Sequence, residues 1–478
     1  MTSRSIFRSA LFVAFAAVSP AQSPERISEW RGGERHDFTC GGRAALLVCP
    51  VQPAAGRPWI WRMEFFDHEP QADAALLAKG WHVAYLDVQN LYGGKTALDA
   101  MDAFHRRMTA GRGLAQKVVL EGFSRGGLFS LNWAARNPGK VSSIYNDAPV
   151  CDFRSWPLGS GTGKHSPDDW ARLLKSYGLT DAEARTGAQS PINNLEPLAK
   201  ARVPLLHVVG DADEVVPYDE NTGLVEQKYA ALGGEIKVIH KPGVKHHPHS
   251  LPDPAPIVEF ITAHFKAGGS EVAAQLSVPA KVDPALPNVL LIGDSISIGY
   301  TADTRRLLAG KANLWRVPVN GGPTTRGVEF LDDWLAGRKW SIIHFNWGLH
   351  DLKHVGAKGD AILDAKAAGA RYQVPLADYE KNLTALCARL QSTGAKLIWA
   401  ETTPVPAGAK GRLPGDELKY NEAAARVTRA AGIPANALHA RAAEKPELQK
   451  KADVHFTDAG SRHLAGKVAD IIAAALRH

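Results

Sequence analysis

Two serines in this chain of 478 residues stand in settings that could turn a hydroxyl into a nucleophile. The first is Ser124, in Gly122-Phe123-Ser124-Arg125-Gly126, a G-x-S-x-G run between KVVLE and LFSLNWAARN. A serine hydroxyl attacks poorly until a base takes its proton and a carboxylate fixes the tautomer of that base. Candidates for both follow in the chain. Asp211 and Asp213 stand in DADEVVP, and His246, His247 and His249 in GVKHHPH. Asp147 and Asp152, in NDAPVCD, are earlier carboxylates that could serve instead. The second serine is Ser295, in Gly293-Asp294-Ser295. Later come Asn320-Gly321-Gly322-Pro323-Thr324-Thr325, then Asn346-Trp347-Gly348-Leu349-His350-Asp351, and finally Asp453 and His455 in ADVHFT. Each set supplies the parts for acyl transfer to water, and neither requires a metal or an organic cofactor. Adjacent imidazoles do not readily converge on one ion, so the HHPH run is expected to hold none.

Such groups work only if rigid elements aim them. Short apolar runs at 81–86, 117–120, 203–209 and 235–239 end in turns with helical patterns between them, which predicts a mostly parallel sheet covered by helices. The same grammar restarts at 288–292, 340–345 and 395–400. Between the two regions, residues 267–287 read AGGSEVAAQLSVPAKVDPALP, small and proline-bearing, and mark a linker. Ser124 falls on a strand–turn–helix junction, where flanking glycines permit the sharp turn and the helix start offers N–H groups to a developing oxyanion.

With serine, acid and histidine in that order, residues 27–266 resemble the α/β-hydrolase family. The resemblance implies Ser124 as nucleophile, Asp213 as orienting acid and His246 as base, with Asp211, His247 and His249 as alternatives. The family's His-Gly oxyanion turn is absent, so a second donor is expected from an amide near Glu64 or Phe65. Arg125 is either a further cationic donor or an ordinary paired arginine. Residues 288–478 resemble the SGNH (GDSL) hydrolases, a flavodoxin-like α/β fold. That resemblance implies Ser295 as nucleophile and His455 as base. It implies an oxyanion hole built from the Ser295 amide, a Gly321 or Gly322 amide, and a side chain from the third block. Two departures stand out. His350 replaces the family's asparagine, so either its imidazole or Asn346 must donate. The acid, Asp453, precedes the histidine by two residues because Ala452 occupies the usual place.

Composition sets the outer bounds. Hydrophobic residues make up 45% and charged residues 22%, which excludes a disordered or fibrous chain. The formal charge of +7 falls to +5 without Arg4 and Arg8, too weak and dispersed to indicate nucleic acid. Residues 1–21 read as a signal peptide, basic at Arg4 and Arg8, then apolar, then small, so the chain is expected in the periplasm or outside the cell, with no membrane attachment after cleavage. Cys40 and Cys49 could pair in an oxidising compartment. Trp156, Trp170, Trp334, Trp347 and Trp399 are candidates for stacking on sugar rings. The expected protein is a secreted two-domain serine esterase acting on acylated carbohydrate. The alternatives are a peptidase or lipase, or one catalytic domain beside a carbohydrate-binding or degenerate one.

Overall fold

All six residues of Val118–Phe123 are buried, including Glu121, so this strand must lie inside a sheet covered on both faces. The computed structural model, which describes residues 25–265, 271–335, 337–359 and 361–477, places it there. The first sheet has nine strands: β1 (Arg26–Trp30), β2 (Gly33–Cys40), β3 (Arg43–Cys49), β4 (Trp59–Arg62), β5 (His82–Leu86), β6 (Val118–Phe123), β7 (Val141–Asp147), β8 (Leu205–Gly210) and β9 (Ile236–Lys241). Their order is β1-β2-β3-β5-β4-β6-β7-β8-β9. The β1–β2–β3–β5 pairs are antiparallel, and every pair from β5–β4 to β8–β9 is parallel. Apolar cores fill both faces. Arg62, at the end of β4, lies opposite Glu121 of β6 and is fully buried against Glu121 and Asp73.

The second sheet contains β10 (Asn288–Ile292), β11 (Asn313–Arg316), β12 (Ile342–Phe345), β15 (Lys396–Ala400) and β16 (Ala435–Asn436), with a small antiparallel pair, β13 (His354–Val355) and β14 (Arg371–Tyr372), as a separate arm. The order β11-β10-β12-β15-β16 is parallel throughout. This is the flavodoxin-like 2-1-3-4-5 order, which opens a crevice at the carboxyl ends of β10 and β12. Ser295 follows β10, and the loop carrying His350 follows β12.

The two sheets belong to units that touch through charge. Asp333 accepts from Arg107 Nε at 2.7 Å and from Arg112 Nε at 3.1 Å, and Trp334 Nε1 donates to the Gly111 carbonyl at 3.1 Å. Within 267–287, residues 267–270 are outside the described ones. The remainder is more ordered than a linker composition suggests: Glu271–Gln275 is a short helix, and Arg316 N donates to Ser277 O. The signal-peptide segment 1–21 also lies outside the described residues. No helix among the described residues is long and apolar enough to cross a membrane.

Two expectations fail on packing. The β2–β3 register pairs Cys40 with Arg43 and Cys49 with Glu34, so the two cysteines sit at opposite ends of the hairpin, and all four thiols are free. Trp170, Trp334, Trp347 and Trp399 are core residues, buried among apolar neighbours and closed to a sugar, while Trp156 is half-buried.

Candidate active sites

In the first unit, the turn from β6 to the helix Gly126–Arg136 holds Ser124 at φ 50°, a left-handed conformation that costs energy for a residue with a Cβ. Gly122 permits it: a Cβ there would meet the Gly126 carbonyl oxygen at 2.8 Å. Ser124 Oγ lies 2.9 Å from His246 Nε2, and His246 Nδ1 lies 2.7 Å from Asp213 Oδ2. Asp213 is held by the amides of Val215 and Val216, which donate to its Oδ1 at 2.8 and 2.9 Å. The side chains of His246 and Asp213 are only 9% and 2% exposed, so their mutual attraction is weakly screened.

The other candidates have other partners. Asp211 pairs with His240, and Asp152 with Arg154 and Ser190. Asp147 accepts from His249 Nδ1 at 2.9 Å and from the Ser250 amide at 2.8 Å. His247 is exposed. The three histidines nevertheless approach one another more closely than their adjacency suggested, with one ring nitrogen from each within 4.8 Å of the others. His246 has both nitrogens engaged in the Ser124–Asp213 array.

Arg125 is a paired arginine. Its Nη2 donates to Glu64 Oε2 at 3.3 Å, and its guanidinium lies over the rings of Phe65 and Tyr92. Burial pushes the Glu64 carboxyl up to about 7, against the opposing pull of Arg125. The Met63–Glu64 turn packs 3.7 Å from the Cβ position of Gly126, which brings the amides near Glu64 alongside the start of the serine's helix. Sequence reasoning missed the Glu64–Arg125 pair and the Asp147–His249 pair. The spacing of three histidines in HHPH was the only signal for the second.

In the second unit, Ser295 opens the helix Ser295–Leu307, capped by Asp294, whose carboxylate accepts from the Ile296 amide. Ser295 Oγ lies 2.9 Å from His455 Nε2, and His455 Nδ1 lies 2.7 Å from Asp453 Oδ1. The same Oδ1 accepts from the His455 amide at 3.2 Å. The two-residue spacing works because Ala452, at φ 53°, turns the chain back. Burial would raise the Asp453 carboxyl, but hydrogen bonds from the His455 ring and amide hold it below its usual range. Unlike the first array, this one is open, with His455 and Asp453 side chains 45% and 44% exposed.

The expected oxyanion groups divide. Asn346 is committed: its Nδ2 donates to the Ala400 carbonyl at 2.8 Å and to Thr402 Oγ1 at 3.4 Å. The Gly321 amide donates to the Gly293 carbonyl, and the Gly322 amide to its neighbour Asn320 Oδ1, both at 2.9 Å. Gly321 therefore holds the loop against β10, and Gly322 closes a local turn; neither amide is free. The His350 ring has no hydrogen-bond partner among the described residues. Burial, reinforced by Lys353, Arg412 and Arg326, lowers it to about 3, so it is neutral near pH 7. A neutral imidazole carries one N–H and can donate it to a developing oxyanion.

Fold and geometry together define a serine hydrolase with two separate nucleophile arrays. Residues 79–267 match the prolyl oligopeptidase family and residues 291–463 the GDSL-like lipase/acylhydrolase family, so the chain joins a prolyl-oligopeptidase-type α/β-hydrolase domain to a GDSL-like domain. Similar solved structures include Porphyromonas gingivalis dipeptidyl peptidase 4 (17% identity, TM-score 0.38, 51% of this chain and 36% of that one). A Mycobacterium tuberculosis puromycin-hydrolyzing peptidase matches at 16% identity and TM-score 0.37, over 52% of this chain and 40% of that one. Pyrococcus horikoshii acylaminoacyl peptidase matches at 12% identity and TM-score 0.38, over 52% of this chain and 43% of that one. This chain thus spans less than half the length of each. No curated protein matches it.

Proposed function

We propose that the protein is an exported esterase that removes acetyl or other acyl groups from carbohydrate, with Ser124 and Ser295 as independent nucleophiles. The observation that carries this reading is the pair of Ser–His contacts at 2.9 Å, each backed by an Asp–His contact at 2.7 Å, on two unrelated sheets. At each site the histidine takes the serine proton as Oγ attacks the ester carbonyl. The oxyanion then collapses to expel the sugar hydroxyl, which receives that proton. Water, deprotonated by the same histidine, hydrolyses the acyl-serine and releases the acid. At the second site, His350 is the side-chain oxyanion donor. The acyl part of the proposal rests on the GDSL-like lipase/acylhydrolase match. The carbohydrate part rests on the expected export and on the joining of two hydrolases in one chain, both of which suit an extracellular polymer.

The test is acetate release from a panel of acetylated polysaccharides by the wild type, Ser124→Ala and Ser295→Ala. Acetate must appear with at least one polymer, and the double variant must release none. A second reading applies to the first site alone, where the prolyl oligopeptidase match favours amide cleavage. Hydrolysis of aminoacyl p-nitroanilides by Ser295→Ala, lost on adding Ser124→Ala, would establish it.

A further inference from the structure

Three cations act on His350 of the second site, Lys353, Arg412 and Arg326. Arg412 donates Nε to the carbonyl of Leu349 at 2.8 Å, which pins its guanidinium to the residue before His350. Arg326 donates Nη1 to the Asn320 carbonyl at 3.1 Å and lies 3.2 Å from the Cβ position of Gly322, against the glycine loop. Lys353 follows His350 by three residues. All three are partly buried, and none makes an ion pair within 4 Å among the described residues.

The nearby carboxylates are otherwise occupied. Glu329, on the helix of Arg326, pairs with Arg106 at 2.6 Å. Asp453 holds His455, and Asp294 caps the serine's helix. Asp351 accepts from the amide of Thr324 at 2.8 Å, and burial raises its carboxyl to about 7. Asp294 and Asp453 attract Arg412, Asp351 attracts Lys353 and Glu329 attracts Arg326, but burial outweighs that attraction at all three and lowers each cation below its usual range, so a bound anion would recover part of the cost.

We infer that Arg326, Lys353 and Arg412 form a subsite for a carboxylate carried close to the ester cleaved by Ser295. This rests on the esterase reading of that site and adds a substrate class: esters bearing a negative charge on the sugar or on the acyl group. The same three cations, after burial, add to the lowering of His350.

The experiment uses Ser124→Ala protein, so that only the second site acts, with three soluble esters: an acetylated methyl glucoside, an acetylated methyl glucuronoside and a succinylated methyl glucoside. At least one charged ester should exceed the neutral one about tenfold in kcat/KM. The excess should shrink as NaCl rises from about 50 to about 500 mM, because partly exposed charges are screened. Replacing Lys353 and Arg412 together by Gln should bring the charged-to-neutral ratio down to about one. A preference for the glucuronoside places the anion on the sugar side, and a preference for the succinate places it on the acyl side. Equal rates on all three esters with no salt effect would overturn the subsite and leave the esterase reading intact. If none is cleaved, the esterase reading of the second site fails, and the subsite is decided by calorimetric titration of Ser295→Ala protein with glucuronate and with succinate against glucose. Binding of either anion that is lost in the Lys353/Arg412 variant supports it, and binding of neither refutes it.

Discussion

Replacing each orienting aspartate by asparagine should injure the two sites very unequally. As serine is deprotonated, the histidine becomes an imidazolium about 4 Å from the carboxylate charge. At an effective permittivity of about 20 that attraction is worth about 4 kcal/mol, and in water about 1 kcal/mol. Asp213 is 2% exposed and belongs to the first regime; Asp453, 44% exposed, belongs nearer the second. At about 1.4 kcal/mol per factor of ten, loss of charge alone costs about a thousandfold and about fivefold respectively. Geometry widens the gap. The amides of Val215 and Val216 both donate to Asp213 Oδ1, so an asparagine there must put its carbonyl oxygen in that place and its NH2 against His246 Nδ1. The imidazole would then carry its proton on Nε2 and could not accept from Ser124. Asp453 uses one oxygen for both the His455 amide and the ring, so an asparagine can keep that oxygen in place and preserve the tautomer. Asp213→Asn in a Ser295→Ala background should therefore lose about a thousandfold or more in kcat/KM on an aryl acetate. Asp453→Asn in a Ser124→Ala background should lose about tenfold or less. Similar losses at the two sites, or the larger loss at Asp453, would refute the argument from burial and hydrogen-bond geometry.

Three further outcomes follow from single contacts. In the Ser124→Ala background, His350→Ala should lower kcat by about a hundredfold or more, and His350→Asn should recover most of it. An alanine variant with unchanged kcat would exclude the imidazole as oxyanion donor. Asp333→Asn takes one buried carboxylate from Arg107 and Arg112, the second of which keeps Glu25, so urea denaturation should show a loss of about 3 kcal/mol; unchanged stability would mean the contact between the units is peripheral. Glu64 keeps its proton in the folded protein up to about pH 7 but releases it near 4.5 when unfolded. The folded state therefore binds more protons in that window, and Glu64 costs the protein up to about 3 kcal/mol of stability as pH rises through it. Glu64→Gln should accordingly gain on the wild type between about pH 5 and about pH 8 in urea midpoints. A constant difference across that range would contradict the raised carboxyl.

The elements that aim the chemistry were legible because they are buried on both faces. Runs such as 117–120 and 203–209 are apolar without alternation, and they correspond to the interior strands Val118–Phe123 and Leu205–Gly210. Ser124 was conspicuous because a strained turn needs its glycines close by in sequence. The residues alone left Asp147, Asp211 and Asp213 open, since the choice depends on which carboxylate faces His246 once the sheet has formed, and only the family resemblance pointed to Asp213. For Gly321 and Gly322, the motif marks the loop but not the acceptors their amides find in Gly293 and Asn320. The cysteine expectation failed because residues near in sequence are far apart when they close opposite ends of a hairpin. Nothing local could reveal Arg107 against Asp333, a contact between residues 226 apart.

The most direct test of two independent nucleophiles is intact-mass analysis and peptide mapping after treatment with an excess of a fluorophosphonate, which phosphonylates only activated serines. Two adducts are expected on the wild type, mapped to Ser124 and Ser295, one on each single alanine variant and none on the double variant. A single adduct on the wild type, or label on any other serine, would contradict it.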